Sequence, residues 1–187
     1  MRVTSRTKLF VAALLAASQL MLPAPAAAAT STPPPQQAQY EVLLNGKRYS
    51  SDAATPFLAP TGCAKSDSET KHVVSYQRRR PNGVGVLLCG NSGFGWRHIS
   101  ARHGGDWQTI VTKYKLGGTW DKFAKWAMSG TLAQPLSARY NSGNDTYRYT
   151  AVLQIRSYNS AATTRSYTIV VPVGGQNNRI VTAYPVG

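Results

Sequence analysis

The spacing of apolar positions changes character along this chain, and the changes divide it. Tyr40 to Leu44 and Lys47 to Tyr49 flank Asn45-Gly46, a strong two-residue turn signal, and predict a short hairpin. The stretch from Ser50 to Asn82 has no clear period. Val84 to Cys89 is a short apolar run bounded by glycines, which predicts a buried strand. From Trp96 to about Gln134 the period becomes helical and predicts three segments: one through Trp96, Ile99 and His103, one through Trp107, Ile110, Val111 and Tyr114, and one through Trp120, Phe123, Ala124 and Ala127. All four tryptophans fall there, so these helices supply the large side chains of the core. The last third alternates with period two over Ser137–Tyr140, Thr146–Arg156, Arg165–Val173 and Arg179–Tyr184, separated by Asn/Gly/Ser-rich turns. Helices followed by strands predict an α+β domain over residues 40–187, with N-terminal helices packed on a C-terminal four-stranded antiparallel meander.

Ahead of this domain, Arg2, Arg6 and Lys8 precede an apolar run from Leu9 to Leu22 and small residues around Ala24 to Ala29. That order predicts a Sec-type signal peptide over residues 1–29, cleaved near Ala29, and hence a secreted protein. The apolar run is interrupted by Ser18 and Gln19, and no later stretch is long and apolar enough to replace it, so no stable membrane insertion is expected after cleavage. Residues 30–39, with Pro33-Pro34-Pro35, read as a disordered Pro-rich leader. Removing 29 of 187 residues leaves 158, a size that suits one domain. In an exported chain the two cysteines, Cys63 and Cys89, are expected to form one disulfide.

Charge narrows the partner class. The chain carries 21 basic and 7 acidic residues, a net +14, of which +11 remains once Arg2, Arg6 and Lys8 are removed. Nucleic acid, an anionic cell envelope and an acidic partner protein all fit such a surface. Arg78-Arg79-Arg80 reads first as a solvated charge run and second as a polyanion contact. The passage Phe94-Gly95-Trp96-Arg97-His98-Ile99-Ser100-Ala101-Arg102-His103 sets two of the three histidines beside two arginines. Imidazoles exchange protons near neutrality and guanidinium forks bind phosphate, which together suit metal-free phosphodiester cleavage. On a helix His98 and Arg102 share a face, while His103 is turned away by about 140° unless Gly104-Gly105 ends the helix and brings it round. The five-residue histidine spacing has no intervening carboxylate, so no metal is expected, and no cofactor or serine-nucleophile signature is present. Near the other end, alternation places Ile180, Thr182 and Tyr184 on one strand face and Val181 and Ala183 on the other.

The Gly-Trp-x-His-Ile-x-x-Arg-His passage ahead of helices, followed by a meander ending in Ile-Val-Thr-Ala-Tyr-Pro, resembles the barnase, EndoU, colicin and RelE-like (BECR) ribonucleases, particularly toxin domains of bacteria and phage. The resemblance covers roughly Gly93 to Gly187 and is carried by its two ends. It implies His98 and His103 as general base and acid, Arg102 as the cation that steadies charge on phosphorus, and Thr182 and Tyr184 as positioners of the phosphate. Substrate contacts are expected from Arg97, Arg148, Arg165 and Tyr167, with Arg148 and Arg165 nearest to the strand lysine of EndoU-like members. The implied protein is a secreted, metal-independent endoribonuclease that cleaves RNA through its 2′-hydroxyl, an antibacterial toxin with RNA as substrate and a cognate immunity protein as partner. The alternative is a secreted non-catalytic module, its aromatic and basic residues holding nucleic acid or an anionic envelope polymer.

Overall fold

The structure, a computed structural model, describes residues 39–52, 63–158, 160 and 162–187. The expected signal peptide and all but Gln39 of the Pro-rich leader lie outside the described residues.

Asn45 and Gly46 both take positive φ, 52° and 75°, the pair of left-handed residues that lets a two-residue turn match strand twist. Strand β1 (Tyr40–Leu44) therefore folds back on β2 (Lys47–Arg48). The turn also reaches a helix end: the Asn45 amide donates to the carbonyls of Gly130 and Gln134 at 3.0 and 2.8 Å, the first of which also accepts the Gln134 N–H.

The centre of the main sheet is the long hairpin of β6 (Thr146–Ser157) and β7 (Thr163–Gly174). Strand β5 (Ser137–Asn141) covers only Thr146–Thr150 of one β6 edge, and β1 takes the remainder, pairing with Leu153 to Ser157. On the far edge β7 carries β8 (Tyr184–Val186). The result is a six-stranded antiparallel sheet, accompanied by a two-stranded ribbon of β3 (His72–Arg78) and β4 (Gly83–Leu88).

This corrects the expected α+β class of N-terminal helices on a four-stranded meander. Four strands precede the helices, two of them join the sheet, and strands hold 39% of the described residues against 24% in helix. The cause is the length of β6: at 12 residues it outruns β5, and its apolar second half recruits the hairpin at Tyr40. The helical period also yields two helices, not three. Helix α1 (Gly95–Lys113) runs unbroken through Gly104-Gly105, because Gly104 is where α2 (Trp120–Ala133) crosses closely; a β-carbon there would lie 3.4 Å from the Trp120 ring.

Alternation sorts the sheet into two faces. Tyr149, Ala151, Leu153 and Ile155 of β6 are buried in one core with Ile169 and Val171 of β7, Val42 and Leu44 of β1, and Trp107, Ile110, Phe123, Met128 and Leu132 of the helices. Trp107 meets Phe123 edge-on at 5.8 Å, and Trp96 stacks on Trp120 at 5.2 Å. The opposite face carries Arg148, Thr150, Val152, Gln154 and Arg156. Lys125 is also enclosed, 2% exposed, with its ammonium 4.8 Å from the Trp96 ring and 3.9 Å from Asp121. Burial pushes its pKa down, and Asp121 opposes that only in part.

The arginine run is likewise not uniformly solvated. Arg79 and Arg80 are exposed, but Arg78 is only 6% exposed. Its guanidinium donates to the Tyr149 hydroxyl at 2.7 Å and the Asn178 side-chain oxygen at 2.6 Å, and lies over the Tyr147 ring. These contacts join ribbon, sheet and the terminal segment. The peptide groups of Val86, Asn178 and Ile180 continue the join through bonds of 2.8 and 2.9 Å.

Candidate active site

The site begins at the disulfide. Cys63 and Cys89 are bonded, with their α-carbons 5.4 Å apart, and Cys89 opens the loop Gly90–Phe94 that leads into α1. Gly90 (φ 64°) could not be replaced by a larger residue: a β-carbon would sit 1.9 Å from the Phe94 carbonyl oxygen. Asn91 holds the turn by donating its backbone N–H to that carbonyl and accepting from Gly93 N–H through its side chain. The Gly95 N–H donates to the Val181 carbonyl at 3.0 Å and the Arg97 N–H to the Cys89 carbonyl at 2.9 Å. Two of the helix's orphan amides are thus spent on docking its first turn against the loop and the terminal segment.

Arg97 differs from its expected substrate-binding role. Its guanidinium donates to the carbonyls of Gly90, Ala64 and Asp67 at 2.7, 2.5 and 2.7 Å. That geometry braces both sides of the disulfide and leaves the fork committed to protein acceptors.

Beyond this brace the two histidines come together. Their ring centroids lie 5.9 Å apart despite the wide angle between their positions on α1, and the His103 ring stacks on Tyr184 of β8 at 4.8 Å. The Gly104-Gly105 ending expected to bring His103 round is not needed, since the helix continues and the side chains themselves bridge the gap. Each imidazole is oriented through Nδ1. His98 Nδ1–H donates to the Ser92 carbonyl at 2.6 Å, and His103 Nδ1–H donates to the Asp106 carboxylate at 3.2 Å. Both rings therefore keep Nε2 for chemistry. A neutral His98 held this way has its lone pair on Nε2, and a charged His103 has a counter-ion beside its other nitrogen.

On the sheet side, the terminal segment is irregular. Val173 pairs with Ile180 and Val170 with Tyr184, so three steps along β7 oppose four along the segment. The extra residue is a bulge at Thr182 and Ala183. It overturns the expected alternation: Ile180 and Ala183 enter the core, whereas Tyr184, opposite Val170, belongs to the sheet face of Thr150 and Arg148. The Ala183 carbonyl accepts from the buried Trp107 indole at 3.2 Å, which fixes the bulge against α1. The Thr182 hydroxyl is buried without a hydrogen-bond partner among the described residues.

The other expected site residues separate. Arg102 is exposed on α1, one residue before His103, and is free of ion pairs among the described residues. Arg148 is exposed on the same sheet face as Tyr184. Arg165 and Tyr167 are not near the histidines: they pair with Ile155 and Leu153 and so stand on the helix-covered face at the far end of the hairpin. There Arg165 lies over Tyr167, which hydrogen-bonds Tyr114; burial, then that bond, pushes Tyr114 up to about 12. Two orienting groups were not found by sequence reasoning. Asp106 had a signal, its i+3 spacing from His103 on a helix, whereas the Ser92 carbonyl is backbone and carries none.

No family model matches the chain. It is 34% identical over 109 residues to two uncharacterized proteins of Mycobacterium tuberculosis, one from each of two strains. The match takes in 58% of this chain and 39% of theirs, so the chain spans about two fifths of the length of these relatives.

Proposed function

We propose that the protein is a secreted endoribonuclease that cleaves RNA by attack of the 2′-hydroxyl, without a metal ion, and acts as a toxin toward other cells. The observation that carries this reading is the pair of imidazoles, each held through Nδ1 and each with Nε2 available, 5.9 Å apart at ring centre. In the proposed reaction, His98 Nε2 takes the 2′-hydroxyl proton and O2′ bonds to phosphorus. The P–O5′ bond breaks, O5′ takes the proton from His103 Nε2, and the products are a 2′,3′-cyclic phosphate and a new 5′-hydroxyl end. Arg102 faces the charge that develops on the phosphorane and the Tyr184 phenol holds one of its oxygens, whereas the buried Thr182 hydroxyl stays out of reach of substrate. General acid and base contribute about 10²- to 10⁴-fold each in such sites. The resemblance of both chain segments to BECR toxins supports the assignment, and the net charge of +14 suits a polyanionic substrate. Export is supported by the pattern of the first 29 residues and by the disulfide, a bond that reducing compartments do not maintain. A toxin of this kind requires an immunity protein in its producer.

The test is to incubate the protein, and its His98→Ala and His103→Ala variants, with RNA in excess chelator and to identify the product ends. Cyclic phosphate ends from the intact protein, and rates at least a hundredfold lower from both variants, are expected. Absence of cleavage by the intact protein refutes the enzyme reading in favour of a binding module. Loss of activity to chelator refutes the 2′-hydroxyl mechanism, and cleavage by both variants at the rate of the intact protein refutes the site.

A further inference from the structure

Arg139 of β5 and Arg148 of β6 stand directly opposite each other in the sheet, both exposed. Like charges in that relation repel, and a stable sheet ordinarily puts an acid or a neutral residue at one of the two positions. Here neither arginine has an ion pair or a hydrogen bond among the described residues, and the acid that register places on this face, Glu41, is bonded to Arg48. The next residue in their row is Pro172 of β7, which adds no charge. The pair therefore presents two unneutralised guanidinium forks side by side.

Its location relative to the histidine site follows from the register. Ser137, Thr150, Val170 and Tyr184 form one row across four strands, and Arg139, Arg148 and Pro172 form the row two residues along on the same face. With strands about 4.8 Å apart and a rise of about 3.4 Å per residue, Arg148 lies roughly 12 Å and Arg139 roughly 16 Å from Tyr184, α-carbon to α-carbon. Neither can reach a phosphate held at His98 and His103, but both share the sheet face of Tyr184, one row further along it. Arg165, by contrast, is on the other face.

We infer that Arg139 and Arg148 form a phosphate subsite that holds the backbone of an RNA strand beyond the nucleotides at the histidine site, so that the preferred substrate is an oligonucleotide and not a dinucleotide. The inference rests on the RNA reading above, and its test separates the two. The double variant Arg139→Gln/Arg148→Gln is compared with the intact protein and with Arg165→Gln, a removal of charge from the opposite face. Binding of a labelled 2′-O-methyl 12-mer, which cannot be cleaved, is followed by fluorescence anisotropy across salt. Two phosphate contacts on a single strand at about 0.7 each predict that the slope of log Kobs against log salt falls by about 1.4 in the double variant and stays unchanged in Arg165→Gln. For cleavage, KM on a long RNA should rise about tenfold while a dinucleotide is cut at an unaltered rate. If no RNA is cleaved by any form, the binding arm still reads the subsite. An unchanged salt slope in the double variant, or an equal change in Arg165→Gln, overturns it.

Discussion

Replacing Cys63 and Cys89 by alanine should cost the protein about 3.5 kcal/mol. The bond closes a loop of 26 residues in the unfolded chain, and the chain-entropy relation for a loop of that length gives roughly 12 cal/mol/K, or about 3.5 kcal/mol at 25 °C. For a domain of this size each kcal/mol moves the midpoint of thermal unfolding by about 2–4 °C, so a fall of roughly 7–14 °C is expected. Native-state contacts should survive, because Arg97 spans the same gap through the carbonyls of Ala64 and Asp67 on one side and Gly90 on the other. Circular dichroism melts of the oxidised, reduced and double-alanine proteins would measure the change, with folded spectra coinciding at low temperature. Because Arg97 and the disulfide brace one place, their losses should not add: Arg97→Ala should cost more in the alanine background than in the oxidised protein. A reduced protein that melts within 2 °C of the oxidised one would refute the loop argument.

Other outcomes follow from individual contacts. Gly90→Ala combines a positive φ with a β-carbon 1.9 Å from the Phe94 carbonyl, so it should destabilise by about 2–4 kcal/mol and lower activity by displacing the Ser92 carbonyl from His98; chemical denaturation and RNA cleavage read the two effects. Asp106→Asn should leave the melting midpoint within about 2 °C, since Asp106 is exposed, yet lower kcat by about tenfold or more as His103 loses its counter-ion; an unaltered kcat would remove His103 from the acid role. Lys125→Met should stabilise near neutral pH. The folded pKa of Lys125 is depressed, so the folded state binds fewer protons than the unfolded state between that value and 10.5, and the wild type gains stability as pH rises through this window. The advantage of Lys125→Met should therefore shrink toward pH 10.5, and melts at pH 7 and pH 10 that show a constant difference would contradict the assignment.

Local signals in the sequence carried over well where one physical cause dominates. Asn45-Gly46 specifies its turn by backbone conformation alone, and the apolar alternation of β6 and β7 depends on burial of one face. Legibility fell wherever partners are distant. That β1 completes an edge of β6 depends on the mismatch between 12- and five-residue strands far along the chain from Tyr40, which no local window contains. Gly104 looked like a helix end because the contact that favours it, the Trp120 ring, belongs to another element. Arg78 and Arg97 looked like surface cations, yet their acceptors are a tyrosine, an asparagine and backbone carbonyls, groups whose positions emerge only on folding. The sequence pattern pointed to a meeting of the histidines with Tyr184, and their rings do lie together, while the bulge that sends Tyr184 to its face was not legible.

The bond from the Trp107 indole to the Ala183 carbonyl joins positions 76 residues apart, and it has a consequence in time. Helix α1 is synthesised well before the strand that completes the histidine site, and contacts of such separation form late. A nascent chain that has made α1 and α2 holds both imidazoles but lacks the Tyr184 ring that stacks on His103. Under the proposed ribonuclease reading, RNA in reach of the unfinished chain, including the message being read, would meet only half a site.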